Sequence, residues 1–469
     1  MNIYLLLLSR LLRKTLNIII SSGSRITLLL YRCLLLVLLC WGAHAWFTWE
    51  WDYMALGRFR LFFAFLAISL IYIYSNNIFF HVKGRVLLAY FLWCIASLPP
   101  EFKLVNPVIE AFRFFPLLIL FYDPKNIAGH LKFLSISIAL ILIPGMILWT
   151  AIQLGYFNLP GLPIQMGEEG NDNYYFYNYF ILLDRIVTES TRFQSIFLEP
   201  GYLGTMLSFL LYANKFRWHL WYNCIILLGL VLSQSLAGYA TFGIGYLLFL
   251  RAQGFSIKKY AIPLFFLIMF VFCMQFYNNG DNYINHNIIE RVTDESNEKY
   301  LFDGSDRTSD YTDELFIEAF TNGNLLFGIN KDLEVDGAGY KIFFLNKGII
   351  AAILYFLVYK IISLMTRNKK YSLYYLILII ITFWQAGYPY SYSWIIPFIL
   401  GIILDNQDCR TSSQSKEPRK IKSQRLMQGS NRQIKSHQHR KYIGMQQVKL
   451  NHTNTRVSPI TDNEADANC

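Results

Sequence analysis

The sequence predicts an all-α polytopic membrane protein, a bundle of about twelve transmembrane helices with two large outer loops. Of its 469 residues 54% are hydrophobic and 16% are charged, whereas a soluble domain carries about a quarter charged residues. Before residue 405 no polar stretch is long enough to form an ordinary soluble domain. The net charge of +11 therefore reflects membrane topology rather than nucleic-acid binding.

The transmembrane segments are the first element to justify, because a spanning helix needs about 20 mostly apolar residues. Twelve segments approach this pattern: 26–47, 58–75, 86–98, 104–122, 132–153, 199–213, 219–234, 237–251, 260–277, 339–362, 371–387 and 392–404. Lys and Arg concentrate in alternate connections between these segments, which the positive-inside rule assigns to the cytoplasm. An even number of spans then predicts that both termini are cytoplasmic.

Charge separates the two longest polar regions by side. The tail 405–469 holds twelve Lys or Arg and six Asp or Glu, a balance of +6, while the loop 278–338 holds four basic and fourteen acidic residues, a balance of −10. We therefore predict that the tail is cytoplasmic and disordered and that the loops 154–198 and 278–338 are periplasmic.

The N-terminal 25 residues admit two interpretations. Arg10, Arg13 and Lys14 share one helical face, which favours an interfacial helix on the cytoplasmic leaflet. A thirteenth span is the alternative, and it would place Arg10 near mid-membrane at a cost of roughly 2.5–3.5 kcal/mol. The predicted organisation is thus residues 1–25 as the interfacial helix and 26–404 as the bundle.

The first outer loop ends in the sequence Arg192-Phe-Gln-Ser-Ile-Phe-Leu-Glu-Pro-Gly-Tyr202 and runs directly into a span. Pro200 suits the first turn of a helix, and Glu199 suits its positive end. Arg192 is therefore expected just above a helix start, with Tyr202 in the first turn as a substrate contact. Capping of the helix is the simplest role for Glu199, and catalysis is the alternative.

The second outer loop places Arg307 just before a segment with helical spacing. Leu315, Phe316, Ala319 and Phe320 recur on one face and predict a short helix that packs on the bundle. Arg307 is either a salt-bridge partner of the surrounding acids or a ligand-binding residue.

Two arginines at loop–helix junctions on one outer face suggest recognition of phosphate. Guanidinium pairs with phosphate oxygens through two parallel hydrogen bonds and stays charged, so Arg192 and Arg307 would suit a lipid-linked diphosphate. Glu110 and Arg113 lie at i, i+3 inside a predicted span, where charges are expensive. They are either a self-satisfied pair or, through Arg113, a third diphosphate contact.

These residues resemble the bacterial O-antigen polymerases, in the wider group that also holds O-antigen ligases. The similarity comprises residues 192–201, the Ser/Gly stretch 233–238, Arg307 with Leu326-Phe327-Gly328, and Gly339-Tyr340 with Gly348. It covers roughly 190–350 in motifs and the whole bundle in topology.

The resemblance implies a metal-independent, cofactor-free glycosyltransferase of the inner membrane. Such an enzyme polymerises undecaprenyl-diphosphate-linked repeat units into O-antigen or a related surface polysaccharide at the periplasmic face. Its partners would be that lipid-linked glycan, the lipid bilayer, and the chain-length regulator and flippase of the same pathway, with no nucleic acid. Arg192, Arg307 and Glu199 would be catalytic, and Arg113, Tyr202 and Asp336 would bind substrate.

Two alternatives to a polymerase stay open at this point. Ligases of this group look as if they carry a His before the span after the large loop, where this chain has Gly337. That departure disfavours a ligase and leaves Glu199 and Asp336 as candidates for the general base. A transporter of lipid-linked oligosaccharide is the other alternative, although transporters place ionisable groups along mid-membrane pathways.

Overall fold

The computed structural model describes residues 24–48, 55–79, 83–154, 192–254, 310–329, 339–366 and 368–407, three strands between 162 and 184, and a few positions between 269 and 277. Residues 1–404 and 405–469 are separate units. Most of the interfacial helix predicted at 1–25, the span predicted at 260–277 and the tail from 408 onwards lie outside the described residues.

The described part of the chain is mostly helical. Its helices are α1 (Ser24–Gly42), α2 (Ala55–Ser75), α3 (Gly84–Ala96), α4 (Val105–Leu120), α5 (Ile127–Gln153), α6 (Pro200–Ala213), α7 (Trp221–Ser233), α8 (Leu236–Ala252), α9 (Asp310–Thr321), α10 (Tyr340–Ser363), α11 (Lys369–Ala386) and α12 (392–407). Eleven of the twelve predicted apolar segments thus coincide with helices.

Length and composition allow three of these helices to cross a membrane: the hydrophobic stretches Ser24–Gly42, Pro124–Gln153 and Tyr340–Ser363. Shorter apolar helices, such as Gly84–Ala96 and Trp221–Ser233, stand beside them. Large apolar side chains are also exposed on the outside of the bundle, for example Phe91 at 61% and Ile147 at 64%. Outward-facing apolar side chains are typical of helices in contact with lipid.

Two local features differ from the sequence prediction. The segment predicted as the first outer loop contains an antiparallel sheet in the order β1 (Leu162–Ile164), β2 (Tyr174–Tyr177) and β3 (Ile181–Asp184), with Tyr175 opposite Leu183. In α9, which forms as predicted, Ala319 is buried but Phe320 is 68% exposed. The prediction that Phe320 packs on the bundle is therefore wrong, because the buried face of α9 lies on the side of Ala319.

Glycines allow two close approaches inside the bundle. A Cβ on Gly204 of α6 would lie 2.8 Å from Cβ of Ser235 and 3.1 Å from Cα of Gly238, and the Ser208 hydroxyl donates to the Gly238 carbonyl at 2.9 Å. In α10 the helix is interrupted at Gly348, whose φ of 82° and ψ of 164° are not helical. Backbone atoms of residues 326–328 fill that interruption.

Candidate functional site

One end of the bundle, called the loop face here, consists of the connections 44–48, 97–104, 192–199, 322–329 and 387–391. The segment 192–199 is bound tightly to the end of α1. Ala45 and Phe197 form an antiparallel bridge, and Leu198 N–H donates to the His44 carbonyl at 3.0 Å. The motif that the sequence placed before a span is therefore an ordered part of the loop face.

The sequence motifs meet in pairs at this end of the bundle. Gly204, just after the first motif, packs against Ser235 and Gly238 of the Ser/Gly stretch. Leu326-Phe327-Gly328 contact Gly348, and a Cβ on Gly387 would lie 2.2 Å from the Gly339 carbonyl oxygen. Residues that are far apart in sequence thus share one surface, which the sequence by itself did not establish.

Glu199 and Tyr202 lie where the sequence predicted, at the start of α6. Glu199 is the N-cap residue, but its side chain makes no capping hydrogen bond, and it is exposed. Pro200 is the first helical residue. The Tyr202 ring is half-buried and lies 5.3 Å from the ring of Tyr388 and 4.6 Å from that of His44.

Aromatic rings lead from Tyr202 to the charged pair in α4. Successive ring centroids lie 5.3 Å apart for Tyr202 and Tyr388, 6.1 Å for Tyr388 and Tyr390, 6.0 Å for Tyr390 and Tyr355, and 4.8 Å for Tyr355 and Trp93. Trp93 donates its indole N–H to Glu110 Oε2 at 3.1 Å. A continuous series of aromatic contacts therefore connects Tyr202 with the Glu110–Arg113 pair; Tyr202 and Arg113 are both predicted substrate contacts.

Glu110 and Arg113 form the ion pair that their spacing predicts, with Arg113 Nη1 and Glu110 Oε1 2.8 Å apart. The other carboxylate oxygen of Glu110 accepts from Trp93 and from the Tyr392 hydroxyl, both at 3.1 Å. The Arg113 guanidinium lies 4.1 Å from the Trp41 ring centroid, close enough for a cation–π contact. Glu110 is thus a structural acceptor that orients Arg113.

Lys347 brings a second cation to this pair. It is half-buried and lies just before the interruption of α10 at Gly348, within electrostatic range of Glu110, Glu101 and Arg113. Within the described part of the chain it has no hydrogen-bond or ion-pair partner, and Glu101 pairs with Lys103 at 2.8 Å. Arg113 and Lys347 thus bring two basic side chains close to Glu110, and such side chains inside a bundle are candidates for binding an anionic ligand.

Arg192 is the first residue of the segment 192–199, at the end away from α6. It is half-buried, and its neighbour Phe193 donates a backbone N–H to Leu232 at the end of α7 and contacts the Trp149 ring at 6.1 Å. The end of α1 lies between Arg113 and Arg192. Trp41 of α1 packs on Arg113, and residues 44–46 pair with residues 196–198 of the segment that Arg192 begins. Arg307 and Asp336 lie outside the described residues.

Sequence reasoning missed several residues of this region. Trp41 is typical of an aromatic belt by its position at the end of a span, but it is 4% exposed and packs on Arg113. Sequence position alone did not place Trp41 in this region, because it does not reveal which way a ring points. The sequence signal for the second basic residue was Lys347 itself, an isolated lysine directly before Gly348 in an apolar span.

A second buried polar cluster lies at the opposite end of α4. Asp123 accepts from the Tyr72 hydroxyl and from Asn126 Nδ2 at 3.0 Å, and His130 Nε2 lies 3.5 Å from its Oδ2. Burial raises the pKa of the Asp123 carboxyl, but the adjacent His130 and the hydrogen bonds from Tyr72 and Asn126 outweigh burial and leave the pKa below its usual value. This cluster joins α2, α5 and the connection between α4 and α5.

Among the described residues, no group of three or more His, Cys, Asp or Glu side chains is placed to hold a metal ion. Comparison with protein-family models, curated proteins and solved structures gives no match for this chain.

Proposed function

We propose that the protein is a glycan polymerase that joins undecaprenyl-diphosphate-linked repeat units at the outer face of the bacterial inner membrane. The observation that carries the proposal is the half-buried Arg113 guanidinium, oriented by Glu110 beneath the loop face, with Lys347 as a second basic side chain nearby. Basic side chains at this depth suit a diphosphate headgroup whose lipid tail stays in the bilayer.

The chemistry requires stabilisation of a leaving group. As the bond between the sugar and the diphosphate breaks, negative charge grows on the diphosphate, and fixed cations lower the barrier. Arg113 and Lys347 would hold this group. Arg192 lies on the other side of the end of α1, so Arg192 and Arg307 are proposed as separate contacts to the lipid-linked substrates. The half-buried rings of Tyr202 and Tyr388 offer flat apolar surfaces against which a glycan would lie.

The proposal includes a topology of twelve spans with both termini in the cytoplasm and periplasmic loops 154–198 and 278–338. Sorting of Lys and Arg to alternate connections supports it. A reporter fused after residue 405 should behave as cytoplasmic, and one inserted near residue 303 should behave as periplasmic. A periplasmic tail would contradict this topology.

Ligation and transport are the competing functions, and deletion of the gene separates them. Loss of a polymerase leaves surface lipid that carries a single repeat unit, whereas loss of a ligase or of a flippase leaves surface lipid without glycan. We expect the single-repeat product, and restoration of the full ladder by the wild-type chain. Surface lipid without glycan in the deletion strain would refute a polymerase.

The same strain tests the cations one at a time. Arg113→Ala, Lys347→Ala, Arg192→Ala and Arg307→Ala should each abolish the ladder at unchanged protein level. At the arginine positions Lys should restore it poorly, because lysine lacks the two-pronged hydrogen-bond geometry. Arg85→Ala is the matched control, since Arg85 is exposed and donates to the Leu364 carbonyl at the opposite end of α3. A full ladder from Arg113→Ala and Lys347→Ala would remove this pair from the site.

A further inference from the structure

The end of α1 holds a histidine in an unusual backbone conformation. His44 has φ of +53°, a left-handed conformation that is uncommon for residues other than glycine. Hydrogen bonds to the segment 192–199 hold this part of the backbone in place. The His44 carbonyl accepts from Leu198 N–H at 3.0 Å, and Trp46 N–H donates to the Ile196 carbonyl at 3.0 Å. Ser195 in the facing segment also has a left-handed φ, of +54°. The same conformation ends α1, since His44 N–H donates to the Trp41 carbonyl at 3.0 Å and Ala45 N–H to the Cys40 carbonyl at 3.1 Å. Together these hydrogen bonds fix the backbone that carries the imidazole.

The imidazole of His44 lies among the residues of the candidate site. Its centroid is 4.6 Å from the Tyr202 ring and 6.4 Å from the Tyr388 ring, and the residue is half-buried. Among the described residues, Tyr202 and Tyr388 are titratable groups whose rings contact this imidazole, and Glu199 lies one turn before Tyr202. The ring is therefore held at the loop face, at the start of the aromatic path to Arg113.

We propose that His44 is the general base that accepts the proton of the acceptor sugar hydroxyl, an inference that rests on the proposed polymerase function. The hydroxyl oxygen would form a bond to the anomeric carbon of the donor glycan while its proton moves to an imidazole nitrogen. The bond from that carbon to the diphosphate breaks, and the diphosphate leaves with the electron pair. The imidazolium then returns its proton to water.

The other candidates fit this role less well. Glu110 already accepts three hydrogen bonds, so its oxygens are occupied. Glu199 is exposed at the start of α6, where water competes with a sugar hydroxyl for its carboxylate. A neutral imidazole is the side chain best suited to proton transfer near neutral pH.

The test uses the purified full chain and lipid-linked repeat units prepared from the gene-deletion strain. His44→Asn is the first variant, because asparagine tolerates a left-handed φ and its amide does not take up a proton near neutral pH. His219→Ala is the matched control, since His219 is exposed in the connection 214–220 at the opposite end of the bundle. Retained binding of undecaprenyl diphosphate, measured as a thermal shift, shows that each variant is folded.

We expect His44→Asn to lower the elongation rate by about 10²–10⁴-fold with little change in substrate KM. The acid limb of the wild-type rate–pH profile should disappear in this variant, and added imidazole should partly restore the rate of His44→Ala. A His44→Asn rate within about threefold of wild type, or an unchanged acid limb, would overturn the role of His44. Wild-type protein that binds the lipid but elongates nothing would overturn the proposed function, and this role with it.

Discussion

Removal of the Glu110 carboxylate should destabilise the bundle more than removal of any one of its hydrogen bonds. Three donors share this carboxylate: Arg113 at 2.8 Å, and Trp93 and Tyr392 at 3.1 Å. The Arg113 and Glu110 side chains are 21% and 15% exposed, so water replaces the lost partner poorly. With Lys347 in electrostatic range of both residues, Glu110→Ala also removes the negative charge that offsets the like charges of Arg113 and Lys347.

The magnitude follows from these contacts. Loss of one partner of a largely buried ion pair costs about 3–5 kcal/mol, whereas Tyr392→Phe deletes a single hydrogen bond worth about 0.5–1.5 kcal/mol. Glu110→Gln keeps the shape and one acceptor oxygen, so its cost should fall between the two.

The assay is the free energy of unfolding in mixed micelles, measured by titration with a denaturing detergent. Double-mutant cycles that combine Glu110→Ala with Tyr392→Phe and with Arg113→Ala should give coupling energies well above zero. If Glu110→Ala cost no more than Tyr392→Phe, the ion pair would contribute nothing to the fold, and our account of how Arg113 is oriented would be refuted.

Three further predictions concern the packing and the pH dependence of stability. Gly204→Ala should lower the free energy of unfolding by about 1–3 kcal/mol, because its Cβ would lie 2.8 Å from Cβ of Ser235. Gly243 has no atom within 4 Å of its Cβ position, so Gly243→Ala should be neutral or stabilising by up to about 1 kcal/mol. Equal losses of unfolding free energy in detergent would contradict the packing. Gly348→Ala should be worse than Gly254→Ala, since both have positive φ but only Gly348 would place a Cβ 2.5 Å from backbone; comparison of their thermal unfolding temperatures checks this. The pKa of Asp123 is lowered in the folded protein, so its ionised form stabilises the fold above the unfolded pKa of about 3.9, and this stabilisation is lost as the pH falls through the folded pKa. Asp123→Asn should therefore have a lower free energy of unfolding than the wild type at pH 7, and that free energy should fall less between pH 5 and pH 3. Equal decreases in the two proteins would exclude this contribution.

The helices could be predicted from sequence because a long apolar segment has few other stable structures in a membrane protein. The interruption at Gly348 could not, because Asn346-Lys347-Gly348 lies inside an apolar span and nothing in its composition shows that residues 326–328 pack there. The strands at 162–184 escaped prediction because Tyr and Asn also suit an interfacial loop.

The candidate site was also only partly predictable from the sequence. The spacing of Glu110 and Arg113 was enough to predict an ion pair, and Glu199-Pro200 was enough to predict a helix start. The contact of Tyr202 with Tyr388 and the packing of Trp41 on Arg113 join distant parts of the chain. Such contacts depend on how the helices are arranged, which hydropathy does not specify.

The most direct test of the central claim is elongation by the purified protein. Lipid-linked repeat units in detergent, with no nucleotide sugar and no lipid acceptor of another kind, contain both the donor and the acceptor that a polymerase needs. We predict a ladder of longer glycans on undecaprenyl diphosphate, with release of undecaprenyl diphosphate at each step, and the same ladder in the presence of EDTA. Glycans of unchanged length from folded protein that binds the lipid would contradict the proposed polymerase.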